Sequence, residues 1–283
     1  MKKSILWALV IVLLGIGLLK KEEIKAPKPS LKSVVEHVMA DSKGKYGIVI
    51  KNFKTGESYQ SNEHQVFEAG SLYKLWVMGT ALQKIKEGNL KEDKILSEDI
   101  EVLNEKFGIE PKEAELQTGS ISLSVSQALN QMITISHNYA ALLLTEEIKL
   151  SSIEAFLKEN DFVESLVDAA GGSPTTTPFD IALFYEKLYK RQLVGLKFAD
   201  KMIELLQNQK LNDGLPKYLP EIKIAHKTGD IGWFKHDAGI VYSIYSDYLI
   251  VVLSESDYPP GAQEKIALLS KAVYDYFELH SKI

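Results

Sequence analysis

Three short polar clusters, far apart along the chain, carry residue types that could form and break an acyl bond. Ser71-Leu72-Tyr73-Lys74 places a hydroxyl and an amine three residues apart at what reads as a helix start. That spacing puts both on one face, one turn from each other. A serine hydroxyl becomes a nucleophile when a base takes its proton, and a lysine whose charge is disfavoured by burial and by other cations can be that base. The helix start adds N–H donors and a positive dipole end for an anionic intermediate. Ser136-His137-Asn138, between two apolar helices, offers a hydroxyl to carry a proton and an amide to orient a carbonyl. Lys227-Thr228-Gly229 falls on an alternating strand. There lysine brings charge, threonine a hydroxyl, and glycine a bare stretch against which a ligand backbone can lie. The N–H of Asp230 could complete an oxyanion hole with that of Ser71.

Singly, each cluster has an ordinary explanation. Serine is a common helix cap, a first-turn lysine is usually solvated, and a polar turn can simply separate two helices. Ser42-Lys43-Gly44-Lys45 repeats the serine–lysine spacing in a loop, and Lys54-Thr55-Gly56 repeats the tripeptide at the bend of a hairpin. Order and context separate the functional set from its copies. S-x-x-K opening a helix, then S-x-N between helices, then K-T-G on a strand, form a single catalytic signature.

The elements that must bring these clusters together follow from periodicity. Residues 32–40 are helical, "KYGIVIKNF" is a strand, and "KTGESYQ" turns into a second one. From Ser71 to about Leu211 the pattern is helical, with a stop at Gly88, helices on both sides of Ser136–Asn138, and a further start at Thr177-Pro178. "IKIAHKTG", "HDAGIVYSIY" and "YLIVVLSES" then alternate as three strands, closed by the amphipathic "QEKIALLSKAVYDYF". Strands at both ends with helices between predict an α/β (α+β) fold. One antiparallel sheet is built from both chain ends and flanked by helices (about 32–68 and 212–283), with an inserted all-helical subdomain (about 69–211).

Among 283 residues there are 33 basic and 38 acidic ones, a net charge of −5, and no basic face that would mark a nucleic-acid partner. Arg191 is the one arginine, and there is no cysteine, so disulfides and a lipid-modified cysteine anchor are excluded. Lys2 and Lys3 precede an apolar run from Ile5 to Leu19, followed by Lys20-Lys21-Glu22-Glu23, the order of an export signal. The run is short of the roughly 17–25 residues of a spanning helix. Residues 1–20 therefore read as a signal-anchor or a cleaved signal peptide, with anchoring at the membrane expected, and residues 21–31 as an extended linker. Either way the rest of the chain is exported. His37, His64 and His226 lack metal-ligand spacing, and no glycine-rich phosphate loop occurs, so neither metal nor cofactor is expected.

With its motifs in this order, the chain resembles the penicillin-recognising serine enzymes, and class A β-lactamases in particular, over about residues 32–280. "QALNQMITISHNYAALLL", "TTTPFDIA" and "DAGIVY" extend the likeness. The resemblance implies a catalytic domain over 32–283, monomeric, acting on a β-lactam or a peptidoglycan-derived substrate. Ser71 would be the acylated nucleophile, Lys74 its activating partner and Ser136 the relay to the leaving amine. Asn138 would line the substrate amide, Lys227 and Thr228 would hold the substrate carboxylate beside Gly229, and Asp230 would share the oxyanion role through its backbone.

Three departures bear on function. His137 stands where the family usually has aspartate. Lys235 and His236 are the nearest candidates for a carboxylate-binding arginine on the following strand. The loop "FVESLVDAAGGSP" lacks the E-x-x-L-N stretch whose glutamate activates the deacylating water, and Leu142 replaces the asparagine that steadies that glutamate. Glu164 and Asp168 are the carboxylates in this loop that could substitute, although each reads first as solvated charge. Loss of a positioned general base slows the step it serves by about 10²–10⁴-fold. The expectation is a serine hydrolase acylated at Ser71 with weakened deacylation. A D,D-peptidase and a non-hydrolytic β-lactam-binding domain are the alternatives.

Overall fold

Tyr248–Glu255, the most continuous apolar run of the C-terminal half, is the central strand of a five-stranded sheet. The computed structural model describes residues 29–167 and 172–280. The apolar N-terminal run, the linker up to residue 28 and Asp168 lie outside the described residues.

Helix α1 (Leu31–Met39) leads into β1 (Lys45–Asn52) and β2 (Ser58–Ser61). The chain returns to the sheet with β7 (Lys223–Ile231), β8 (Phe234–Tyr242) and β9 (Tyr248–Glu255), then ends in α9 (Pro259–His280). The order is β2-β1-β9-β8-β7 with every pair antiparallel, so both chain ends build one sheet, as expected. Ile250 and Val252 of β9 pack with Ile48, Ile50, α1 and α9 on one face. Val251 and Leu253 join Val49 and the helical insert on the other. Cover on both faces explains why β9 is apolar throughout rather than alternating. The first Lys-Thr-Gly closes the β1–β2 turn. Asn52 Oδ1 accepts from the N–H groups of Lys54 and Thr55 at 2.9 Å, and Gly56 takes φ 76°.

The insert begins with β3 (Phe67–Glu68) and a 3₁₀ turn (Gly70–Tyr73), then α2 (Lys74–Lys86). It continues through β4 (Ile95–Asp99), α3 (Ile100–Lys106), β5 (Ser120–Ser124), α4 (Val125–Thr134), α5 (Asn138–Ile148) and α6 (Leu150–Glu159). It ends with β6 (Thr175–Thr176), α7 (Pro178–Tyr189) and α8 (Leu196–Gln207). Two ladders, β3–β6 and β4–β5, therefore sit among its helices. Each strand there has five residues or fewer, too few for a period of two to stand out. Among the described residues no helix is long and apolar enough to cross a membrane.

Helix α2 is the axis of the insert: every residue from Lys74 to Leu82 is buried. It comes close to α6 because residue 79 has no side chain; an ideal Cβ on Gly79 would lie 2.3 Å from Phe156 Cζ. Phe156 is itself buried and has little room to move. Gly79→Val should therefore lower stability by about 1–3 kcal/mol through overpacking. Gly79→Ala, which regains about 1 kcal/mol of helix propensity, should fall between it and wild type. Urea unfolding measures this as a lower midpoint at unchanged slope; an unchanged midpoint in Gly79→Val would contradict the packing argument.

Candidate active site

Strand β7 is an edge of the sheet, and the 3₁₀ turn that carries Ser71 packs against it. Two glycines make the approach possible. Gly70 adopts φ 48°, and an ideal Cβ there would lie 3.2 Å from Ile231 Cγ2 and 3.5 Å from Asp230 N. An ideal Cβ on Gly229 would meet His236 Cδ2 at 2.9 Å and the Ala69 carbonyl at 3.1 Å. The glycine of Lys-Thr-Gly thus makes room for the protein's own turn, a use that the sequence did not reveal. Ser71 lies within this turn rather than opening the helix: α2 starts at Lys74, and no side chain caps the turn. The Ser71 hydroxyl is left for chemistry.

Lys74 Nζ lies 3.0 Å from Ser71 Oγ. It also contacts the Ser136 carbonyl at 2.6 Å, Ser136 Oγ at 3.1 Å and Asn138 Oδ1 at 2.6 Å. The two carbonyl-type oxygens can only accept. A neutral Lys74 satisfies both with its two N–H bonds, and its lone pair is then left for a hydroxyl, with Ser71 Oγ the nearest. Lys227 Nζ donates to Ser136 Oγ at 3.0 Å and to the Thr228 carbonyl at 2.9 Å. Both lysines are 0% exposed. Burial brings the Lys74 ammonium down to about 7, opposed in part by the Glu115 charge. Burial, and then the neighbouring Lys74 charge, bring Lys227 down to about 7, with Asp237 opposing.

Ser136 meets both amines from a left-handed backbone, φ 57°, which is uncommon for serine and costs of order 1 kcal/mol or more. From that conformation its carbonyl and its hydroxyl both face Lys74. His137 next to it is the N-cap of α5: its Nδ1 accepts from the Ala140 N–H at 3.2 Å. An imidazole nitrogen here performs the accepting task that aspartate performs at other caps. Asn138 then opens α5 with its oxygen on Lys74 and its Nδ2 donating to Glu115 Oε1 at 2.5 Å. Thr228 stands half-buried on β7, and exposed Asp230 pairs with Lys235 on β8.

The second candidate on β8 is otherwise engaged. His236 is buried, and burial pushes it down to about 4, so it is neutral at physiological pH. Its Nε2 donates to the Glu68 carbonyl at 2.8 Å, and its Nδ1 accepts from the Ser254 N–H at 3.1 Å. His226 is buried beside Asp237, 2.8 Å from Nδ1 to Oδ1, behind the strand that carries Lys227. In the loop before β6, Glu164 Oε1 lies 2.8 Å from His64 Nδ1, and Oε2 accepts from Thr177 Oγ1 at 2.7 Å. Neither Glu164 oxygen hydrogen-bonds to Ser71 or Lys74, while Asp168 is outside the described residues. Among the described residues no group of three His, Cys, Asp or Glu side chains could hold a metal ion.

A half-buried serine beside a buried lysine, bridged by a second serine to a second buried lysine, is an arrangement suited to acyl transfer. The model of the β-lactamase enzyme family matches residues 30–277. The chain belongs to that family. Its fold matches the structure of PBP-A with a TM-score of 0.77 at 24% identity, covering 88% of this chain and 96% of that one. It also matches a β-lactamase from Sphaerobacter thermophilus, TM-score 0.77 and 19% identity over 88% and 97% of the two chains. A mutant of PBP-A, solved as an acyl-enzyme complex with penicillin G, matches with a TM-score of 0.76 at 24% identity over 88% and 96%. No curated protein matches by sequence. As a member of the β-lactamase family, this protein is a serine hydrolase of the β-lactamase type.

One residue of this β-lactamase-family site escaped sequence reasoning. Glu115, exposed between α3 and β5, is one of several glutamates in a polar segment with no periodicity to place it. The cap at His137 generates a direct expectation. His137→Ala should cost about 1 kcal/mol of stability, and His137→Asn should retain most of it, since asparagine is a strong N-cap. Thermal melts of the two variants check this; equal losses would show that the cap is not what His137 supplies.

Proposed function

We propose that this chain is an exported serine enzyme that opens β-lactam rings by acylation at Ser71 and releases the product slowly. Neutral Lys74 takes the Ser71 hydroxyl proton as Oγ bonds to the carbonyl carbon. The proton passes through the Ser136 hydroxyl to the ring nitrogen as the C–N bond breaks. The N–H groups of Ser71 and Asp230 hold the oxyanion, Lys227 and Thr228 hold the substrate carboxylate beside Gly229, and Asn138 receives the acyl amide. The observation that carries this reading is Lys74 Nζ, fully buried, 3.0 Å from Ser71 Oγ. A buried lysine near neutrality is a competent base for a hydroxyl.

Slow release rests on the carboxylates. Glu164 is tied to His64 and Thr177, and no carboxylate among the described residues hydrogen-bonds to Ser71 or Lys74. The same observation favours a second reading, a D,D-peptidase that cleaves peptidoglycan stem peptides with the same trio, and the likeness to PBP-A supports it. In either case residues 1–20 act as signal or anchor, 21–31 as linker and 32–283 as the catalytic domain, placed outside the membrane where both substrates are found.

Intact-mass spectrometry after mixing with benzylpenicillin should show a persistent single adduct that is absent from Ser71→Ala. Rapid return to the native mass would contradict slow deacylation, and release of D-alanine from a model peptide would favour the peptidase. The pH dependence follows from the two amines. Lys74 must be neutral to act as base, so acylation falls below about pH 7, approaching tenfold per unit. Lys227 must be charged to hold the carboxylate, so acylation also falls well above about pH 7. The two amines share one hydroxyl and titrate as a pair, giving a bell with its maximum near neutrality. A second-order acylation rate that is flat from about pH 5 to about pH 7 would remove Lys74 from the role of base.

A further inference from the structure

Among the described residues Glu115 is the one carboxylate hydrogen-bonded to the polar cluster around Lys74, and its place there is built. Leu116, its neighbour, is clamped by the buried Tyr139, which follows Asn138 on α5. The Tyr139 hydroxyl donates to the Leu116 carbonyl at 2.7 Å and accepts from the Leu116 N–H at 3.2 Å. Asn104 Nδ2 donates to the same carbonyl at 2.9 Å. The backbone beside Glu115 is therefore pinned to the helix that presents Asn138, and its Oε1 accepts from Asn138 Nδ2 at 2.5 Å.

The orientation of Asn138 is fixed from the other side. Its Oδ1 accepts from Lys74 at 2.6 Å, so its amide nitrogen must face away from the lysines. That nitrogen has two N–H bonds, and Glu115 takes one. A substrate carbonyl accepting the other is brought beside the Glu115 carboxylate, together with whatever group that carbonyl bears. Among the described residues no lysine or arginine forms an ion pair with Glu115. Lys112 is 3.8 Å from Glu113, and Lys106 pairs with Glu98 and Glu146. The field of Glu115 reaches Lys74, whose ammonium it favours.

Building on the acyl-transfer reading, we propose that Glu115 determines specificity, selecting acyl groups that carry an ammonium next to the carbonyl bound by Asn138 and disfavouring those that carry a carboxylate there. Its charge acts on the substrate, and its hydrogen bond holds the Asn138 amide in register. The ligand chemistry is an amine-bearing acyl donor, whether a β-lactam or a stem-type peptide with a free side-chain amine.

Ampicillin, benzylpenicillin and carbenicillin share one skeleton and bear an ammonium, a hydrogen and a carboxylate at the same carbon. Their acylation rates on the full chain are to be compared with those on Glu115→Gln, which keeps an oxygen for Asn138 and removes the charge. The ratio of ampicillin to carbenicillin should fall by about tenfold in Glu115→Gln, and Glu115→Lys should reverse the preference. In competition with labelled penicillin, a D-Ala-D-Ala peptide with a free lysine amine should outcompete its acetylated form on wild type and lose that advantage in Glu115→Gln, which identifies the peptide source. Penicillin adducts whose substrate ratio is the same in wild type and Glu115→Gln would overturn this inference and leave acyl transfer standing. Absence of any adduct on wild type would overturn both.

Discussion

Two buried lysine amines share the hydroxyl of one half-buried serine. Lys74 and Lys227 both contact Ser136 Oγ, at 3.1 and 3.0 Å, and both are 0% exposed. Two full charges so close in a low-dielectric site repel strongly, and each also loses its hydration. Pairing each amine with a carboxylate would relieve this. Instead, Lys74 is ringed by neutral oxygens, and Glu115 and Asp237 exert their fields from one step further out. Leaving one amine neutral is the inexpensive solution, and a neutral amine beside Ser71 is what makes this a site for chemistry rather than a structural ion cluster.

Such a cluster is destabilising by itself and persists because rigid elements over-determine it. Lys74 begins a helix whose first nine residues are all buried, so its backbone is fixed in the core. Lys227 lies on a strand held by a nine-residue register with β8, which in turn pairs with a central strand covered on both faces. Ser136 is held in its unfavourable backbone between the end of α4 and the His137 cap of α5. Three elements from distant parts of the chain each contribute one polar group, and the sheet built from both chain ends fixes their mutual positions.

Much of this could be read in the residues themselves. The clusters at 71–74, 136–138 and 227–229 stood out because residue type, spacing and order agreed, and the hairpin at 54–56 separated itself because its glycine sits between two strands. What could not be read depends on contacts across the fold. Glu115 lies 23 residues from Asn138 and belongs to no periodic element, so it is contacts of Tyr139 and Asn104 with Leu116 that bring it to the site. The strands β4, β5 and β6 were hidden by their length. His236 could have bound a carboxylate by residue type alone; burial and its two backbone partners leave it neutral and occupied. The space above Gly229 could have belonged to a ligand, but the Ala69 carbonyl lies there.

That last contact fixes how the cleft can breathe. With Gly70 against Ile231 and Asp230 and Gly229 against His236 and the Ala69 carbonyl, neither glycine contributes a side chain to hold the Ser71 turn and the edge strand apart. Parting them would open a contact that only the two missing side chains allow. On the Asn138 side, the 107–119 segment is tied at Leu116 by the Tyr139 hydroxyl and Asn104 and at Glu115 by Asn138 itself. The two walls of the cleft thus differ in kind: one is backbone drawn close where two side chains are missing, the other a polar segment held by side-chain hydrogen bonds and bearing the Glu115 carboxylate.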